Sequence, residues 1–251
     1  MHPILVQIGP VTLYTYGLMM MVAFAMVTWL SSRDVRTQPP GERVGIKPEQ
    51  VVDGCCYVLL GGLAGGRLFY VALHWDEFAT VPAEIFAIWR GGLVWYGGFV
   101  GGLATAWLYL RAQRLEILRI LDWFIPYVAF GHALGRVGCF LNGCCYGHPT
   151  DAWCGVLFPG RDTRVLPTQL FEAAGLVFLY IGLRRLWRSS LGKRRGGVLG
   201  AYLIGYAVLR FVIESLRGDQ AVWWAGLTLQ QLISLGLLVS GLLLLNLNRK
   251  K

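Results

Sequence analysis

Residues 120–147 read ILDWFIPYVAFGHALGRVGCFLNGCCYG. The segment 120–141 is an apolar run of the length needed to cross about 30 Å of hydrocarbon at a helical rise of about 1.5 Å per residue. Inside that run stands Arg136, flanked by Gly135 and Gly138 and followed by Cys139, Cys144 and Cys145. An arginine at bilayer centre costs about 2.5–3.5 kcal/mol on insertion scales, and the cost falls when the guanidinium faces an anion or a wet cavity. The segment therefore predicts a membrane helix that brings positive charge to a built site.

The rest of the 251-residue chain has the same character. Hydrophobic residues make up 55% and charged residues 15%, against about 25% charged in ordinary globular domains. Low-charge stretches recur at 11–31, 51–73, 91–110, 120–141, 166–187, 198–215 and 225–246, leaving too little polar sequence to coat a soluble body. The expected fold is all-α: one polytopic integral membrane domain over 1–251 with about seven transmembrane helices.

Loops 32–50, 111–119 and 184–196 and the tail hold sixteen of the 23 lysines and arginines; Arg90, Arg161, Arg164 and Arg217 fall on the other side. The positive-inside rule then sets the N-terminus outside and the C-terminus in the cytoplasm. The net charge of +9 is a collar facing anionic headgroups and calls for no nucleic acid. No basic residue precedes the first apolar run, which speaks against a cleaved signal peptide.

Three basic residues remain: Arg67, Arg136 and Arg210, each toward the outer end of an even-numbered span. Guanidinium groups match phosphate geometry with paired donors, so the expectation is a phosphate-bearing ligand approached from the outer leaflet. Interhelical ion pairs with Glu172 and Glu214 are the competing reading, and the two are compatible. Most glycine pairs fit close helix packing; those near Arg67 and Tyr96, including Gly97 and Gly98, are candidates for lining a cavity. Loop 142–165, rich in Gly, Pro and Asp, is a candidate access element, and Trp75, Trp89, Trp153, Trp223 and Trp224 suit an interfacial belt.

At this point the motifs resemble a known family. "GRVGCFLNGCCYG" (135–147) is similar to the signature of bacterial prolipoprotein diacylglyceryl transferases. "YTYGLMM" (14–20), "GGRLFYV" (65–71), "RGGLVWYGGFVGG" (90–102), "PTQLFEA" (167–173) and "LRFVIESLRGDQ" (209–220) resemble the family's other motifs, in family order. The resemblance implies transfer of a diacylglyceryl group from phosphatidylglycerol to the lipobox cysteine of a prolipoprotein, releasing glycerol 1-phosphate. It implies the bacterial inner membrane, chemistry toward the outer leaflet, and a prolipoprotein signal peptide as partner. It also implies that Arg136 and Arg210 engage the lipid phosphate, and it marks Tyr16, Asn142, Gly147, Glu214 and Arg217 as motif positions. Some members carry histidine where this chain has Tyr96, asparagine at Cys139 and glutamate at Cys144, so a histidine base at position 96 is excluded.

Displacement at carbon by a thiol requires a stabilised leaving phosphate and a thiolate. Arg136 and Arg210 suit the first task. For the proton, Tyr96, Glu214 and His132 stay open; His132 shares a helix face with Arg136 at i,i+4. The reaction requires no cofactor and no metal. Cys139, Cys144, Cys145 and Cys154 with His148 lack a C-x2-C pair, which disfavours zinc, and a disulfide involving Cys154 stays open. The alternatives from other classes are an anion transporter or channel and a cysteine-based redox membrane protein.

Overall fold

The computed structural model describes residues 4–8, 11–39, 44–88, 91–218 and 220–247. Arg43, Trp89, Arg90, Arg249, Lys250 and Lys251 lie outside the described residues. The fold is mostly helical: β1 (Ile4–Ile8), β2 (Val11–Tyr14), α1 (Thr15–Thr37), α2 (Pro48–Leu73), α3 (Trp75–Thr80), α4 (Trp95–Ala112), α5 (Ile117–Asn142), α6 (Thr168–Trp187), α7 (Gly197–Ser215), β3 (Val222–Trp224), β4 (Leu227–Thr228) and α8 (Leu229–Leu247), with a 3₁₀ turn at Pro82–Phe86.

All seven predicted segments are helices, with shifted ends. The first begins at Thr15 because Val11–Tyr14 pairs antiparallel with Ile4–Ile8. The last begins at Leu229 because Val222–Trp224 and Leu227–Thr228 form a hairpin. Its turn residues Ala225 and Gly226 have φ of 49° and 80°, the left-handed pair that a tight two-residue hairpin requires. Short apolar runs do not distinguish strand from helix by composition. Among the described residues five helices, α1, α2, α5, α7 and α8, are long and apolar enough to cross a membrane. The α4 segment is diluted by glycine and aromatic residues and α6 by Glu172, Arg184 and Arg185.

The chain packs as two compact units, Met1–Leu30 with Leu121–Lys251, and Ser31–Ile120.

The Ser31–Ile120 unit is built on α2 against α4. Pro48 starts α2 at a position where no N–H is missed, and the Gln50 side chain accepts the Lys47 N–H at 2.9 Å. Tyr109 Oη donates to the Gln50 carbonyl at 2.8 Å, while Val94 N–H donates to the Gly66 carbonyl at 3.1 Å, so the helices run antiparallel. Between these ties the glycines interlock. A Cβ on Gly65 would strike the Gly97 carbonyl and lie 2.9 Å from Gly101 Cα; one on Gly101 would strike the Gly61 carbonyl. Without a hydrophobic drive between helices in lipid, such close backbone approach supplies the association through dispersion contacts.

In the other unit α1 lies antiparallel on α5. A Cβ on Gly131 would meet Val27 Cγ2 at 2.7 Å, and one on Gly138 would meet Met19 Cβ at 3.0 Å. Trp123, Tyr127, Leu176 and Val198 fill the interior among α5, α6 and α7. The fully buried Asp122 of α5 caps α7: Oδ2 accepts from Gly196 N–H at 2.6 Å and Oδ1 from Leu199 N–H at 2.8 Å. It satisfies amides that the first helical turn leaves without partners and sets an anion at the positive end of the dipole. Thr228 and Gln231 cap α8 reciprocally: Thr228 N–H donates to Gln231 Oε1 at 3.0 Å and Gln231 N–H to Thr228 Oγ1 at 3.2 Å.

Candidate functional site

Three helices each deliver charge to one place. From α5 come His132 and Arg136, from α6 Glu172, from α7 Arg210 and Glu214. The turn of about 3.6 residues sets His132 and Arg136, and Arg210 and Glu214, on shared faces. Arg136 Nε stands 3.0 Å from Glu172 Oε2, and Arg210 Nη1 stands 3.5 Å from the same oxygen. Arg210 Nη2 reaches Glu214 Oε2 at 2.7 Å. His132 Nε2 lies 3.9 Å from Glu172 Oε1. Glu172 and Glu214 are almost wholly buried.

Two arginines and two carboxylates balance, and that neutrality is what makes their burial affordable in an apolar core. The pairing is asymmetric. Arg210 extends its two terminal nitrogens to two different carboxylates. Arg136 meets Glu172 through Nε and is the more accessible of the two, 15% against 8%. Its contact with Glu172 is close but off the hydrogen-bond axis, and Glu172 Oε1 accepts no hydrogen bond from the described residues. Glu214 Oε1 accepts from Thr228 Oγ1 at 2.9 Å, which fastens α7 to the β4 end of the hairpin. Tyr206 borders the cluster, its ring 5.3 Å from that of His132 and stacked on Tyr202 at 5.8 Å.

The C-terminal end of α5 turns sharply. Gly143 (φ 78°) and Cys145 (φ 65°) are left-handed, which returns the chain toward its own helix. Thr168 Oγ1 donates to the Cys145 carbonyl at 2.9 Å, and Gln169 Nε2 donates to the Cys144 carbonyl. Cys139, Cys144 and Cys145 bring their sulfurs within 4.8 Å of one another. Hydrogen bonds with Cys139 and Cys144 hold the Cys145 thiol well below its ordinary value, and Arg217 and Arg136 add to this against the cost of burial. All six cysteines are free thiols, Cys154 included. Gly147 is hemmed in: a Cβ would lie 2.6 Å from the Leu216 carbonyl and 2.7 Å from Thr168 Cγ2. Its bridge to Arg217 joins the signature loop to the end of α7. Asn142 closes α5. Tyr16, near the start of α1, packs beside Gly138 and stands within electrostatic reach of Arg136 and Cys139.

Arg67, Tyr96, Gly97 and Gly98 belong to the Ser31–Ile120 unit. Arg67 is buried and tied to backbone: Nε to the Ile85 carbonyl (2.8 Å), Nη1 to those of Gly91 (2.7 Å) and Gly92 (3.1 Å), Nη2 to that of Glu84 (2.6 Å). It gathers the chain after α3 onto α2, a backbone task where the sequence suggests a phosphate ligand. Gly97 packs against Gly65 and Phe69, and Gly98 faces the Gly62 carbonyl at 3.3 Å from an added Cβ; their space is taken by α2. Tyr96 is half exposed, its ring edge-on to Trp95 at 5.3 Å.

The residue that sequence reasoning placed only as an ion-pair partner is Glu172, the hub of the cluster. Its signal was available: an acidic residue in an apolar span carries the same cost as the arginines that drew attention. Thr228, which holds Glu214, gave no signal, because its role depends on the hairpin.

A family model described as prolipoprotein diacylglyceryl transferase matches residues 3–247. Similar proteins named phosphatidylglycerol–prolipoprotein diacylglyceryl transferase include those of Synechococcus elongatus, 36% identical over 96% of this chain and 85% of the relative, and Methylococcus capsulatus, 36% identical over 97% and 94%. That of Solidesulfovibrio magneticus is 37% identical over 97% of this chain and 93% of the relative. Agreement with these transferases over nearly all of the chain, whose signature helix carries its arginine into a buried charge cluster, makes the protein a member of the prolipoprotein diacylglyceryl transferase family.

Proposed function

We propose that the chain transfers the diacylglyceryl group of phosphatidylglycerol to the lipobox cysteine thiol of prolipoproteins, releasing glycerol 1-phosphate. The observation that carries this reading is the convergence of Arg136 and Arg210 on the single Glu172 carboxylate inside an apolar helical bundle. In this reading all seven long helices cross the bacterial inner membrane as one domain, with the N-terminus outside and the C-terminus cytoplasmic. The site faces the outer leaflet, and loop 142–165 borders the entry of the signal peptide.

The thiolate sulfur attacks the glycerol carbon bonded to phosphate oxygen; a C–S bond forms, the C–O bond breaks, and its electron pair leaves on glycerol phosphate. Arg136 is the phosphate ligand in this reading, since Glu172 meets it at Nε and it is the more accessible of the two arginines. Arg210, held between Glu172 and Glu214, supplies fixed positive potential beside it. A preorganised charge in a dry site needs no reorganisation as negative charge grows on the leaving group. Of the three candidates for the proton, His132 shares a helix face with Arg136 and holds its Nε2 3.9 Å from Glu172 Oε1, near that carboxylate without a hydrogen bond to it. Glu214 is engaged by Arg210 and Thr228. Tyr16, Asn142, Gly147 and Arg217 shape the surroundings, and Arg67, Gly97 and Gly98 maintain the α2–α4 unit.

The test is transfer of diacylglyceryl from phosphatidylglycerol to a lipobox peptide by purified protein. Arg136→Ala is expected to lower the rate about 10²–10³-fold, the usual effect of removing one preorganised donor. A variant that folds and turns over normally removes Arg136 from the reaction.

A further inference from the structure

The three thiols at the end of α5 are not used by the transfer chemistry above, yet they are assembled with care. Cys139 is on the last turn of the helix, and Cys144 and Cys145 come back to it only because Gly143 and Cys145 adopt left-handed backbone. For a non-glycine residue that conformation costs about 1–2 kcal/mol, and such strain persists where surrounding contacts over-determine it. Here they do: the buried Thr168 and Gln169 at the start of α6 hold the carbonyls of Cys145 and Cys144. Cys144 N–H also donates to the Cys139 carbonyl at 3.2 Å. The result is three sulfurs, each partly buried, within 4.8 Å of one another.

We propose that Cys139, Cys144 and Cys145 form a three-thiolate site for one thiophilic metal ion, Zn²⁺ or Cu⁺. A Zn–S length of about 2.3 Å implies sulfur separations of roughly 3.8 Å in tetrahedral geometry, which the triangle reaches by a small closure. Thiolate donors select these ions over hard cations. Binding replaces whichever S–H protons the three thiols still hold, released to solvent, by three metal–sulfur bonds. With Zn²⁺ the site carries one net negative charge, and Arg217 and Arg136 stand near enough to offset it. A disulfide would join two sulfurs and strand the third, so the three-fold arrangement favours the metal. The ion is structural: it fixes the loop that follows Arg136 and takes no part in the displacement. His148 and Cys154, in reach by sequence, stand outside the triangle.

The experiment is titration of the reduced, purified full chain in nanodiscs with Co²⁺, followed by Zn²⁺. The expected result is a near-ultraviolet thiolate-to-cobalt charge-transfer band that saturates at one equivalent and is bleached by Zn²⁺. Cys139→Ser, Cys144→Ser and Cys145→Ser should each weaken Co²⁺ at least about tenfold, and Cys154→Ser should not. Absence of the band in the unaltered chain overturns the proposal without reliance on any variant. So does a band that survives the triple replacement of these cysteines by serine, or thiol counting and mass measurement that find two of the three joined in a disulfide that re-forms after reduction.

Discussion

Glu172 Oε2 sits 3.0 Å from Arg136 Nε and is the point where the charges of two different helices meet, since Arg210 reaches the same atom. One carboxylate therefore positions both guanidinium groups. Glu172→Gln keeps the shape and removes the charge, leaving Arg136 and Arg210 with Glu214 alone. Breaking one partner out of a buried pair costs about 3–5 kcal/mol. The expected outcome is a lower melting temperature in a fixed detergent and a loss of transfer, both partly restored by Glu172→Asp. Wild-type melting would show that Glu172 does not hold the cluster.

His132 and Tyr96 are separated by the same transfer assay. Removal of a general base lowers rates about 10²–10⁴-fold, and that is the expectation for His132→Gln. Tyr96→Phe, which keeps the ring that meets Trp95, should stay within about threefold of wild type. The reverse pattern would move the proton-accepting role to the tyrosine.

Arg67 donates to four backbone carbonyls between Glu84 and Gly92. Arg67→Ala should loosen that segment and speed its cleavage in limited proteolysis, with a stability loss of about 2–4 kcal/mol from buried carbonyls left without donors. The apparent KM for phosphatidylglycerol should change far less than in Arg136→Ala. A rise in KM with unchanged proteolysis would return Arg67 to the lipid.

Asp122 is expected to matter for stability and little for chemistry. Asp122→Ala leaves the Gly196 and Leu199 amides without their acceptor and should cost about 2 kcal/mol, the upper end for a lost cap. Fourteen residues of α5 separate it from Arg136, roughly 21 Å along the axis. Melting temperature should fall while activity per folded molecule holds.

The sequence alone determined the seven helices, because a bilayer-length apolar run is a one-dimensional property read without knowing any neighbour. It also exposed Arg136 and Arg210, since a charge inside such a run costs enough to demand a partner. The tertiary structure decided which partner. Arg67 looks identical to Arg136 in sequence, each beside glycines in an apolar span, but one meets backbone carbonyls and the other a carboxylate. Gly97 and Gly98 turned out to be occupied by α2, a fact that depends on how closely two backbones approach. Glu172 became the hub, and Thr228 its neighbour's anchor, only when three helices and a hairpin were folded together. Apolar length is local and survives in the sequence; the pairing of buried polar groups is a distance between remote residues, and packing alone sets it.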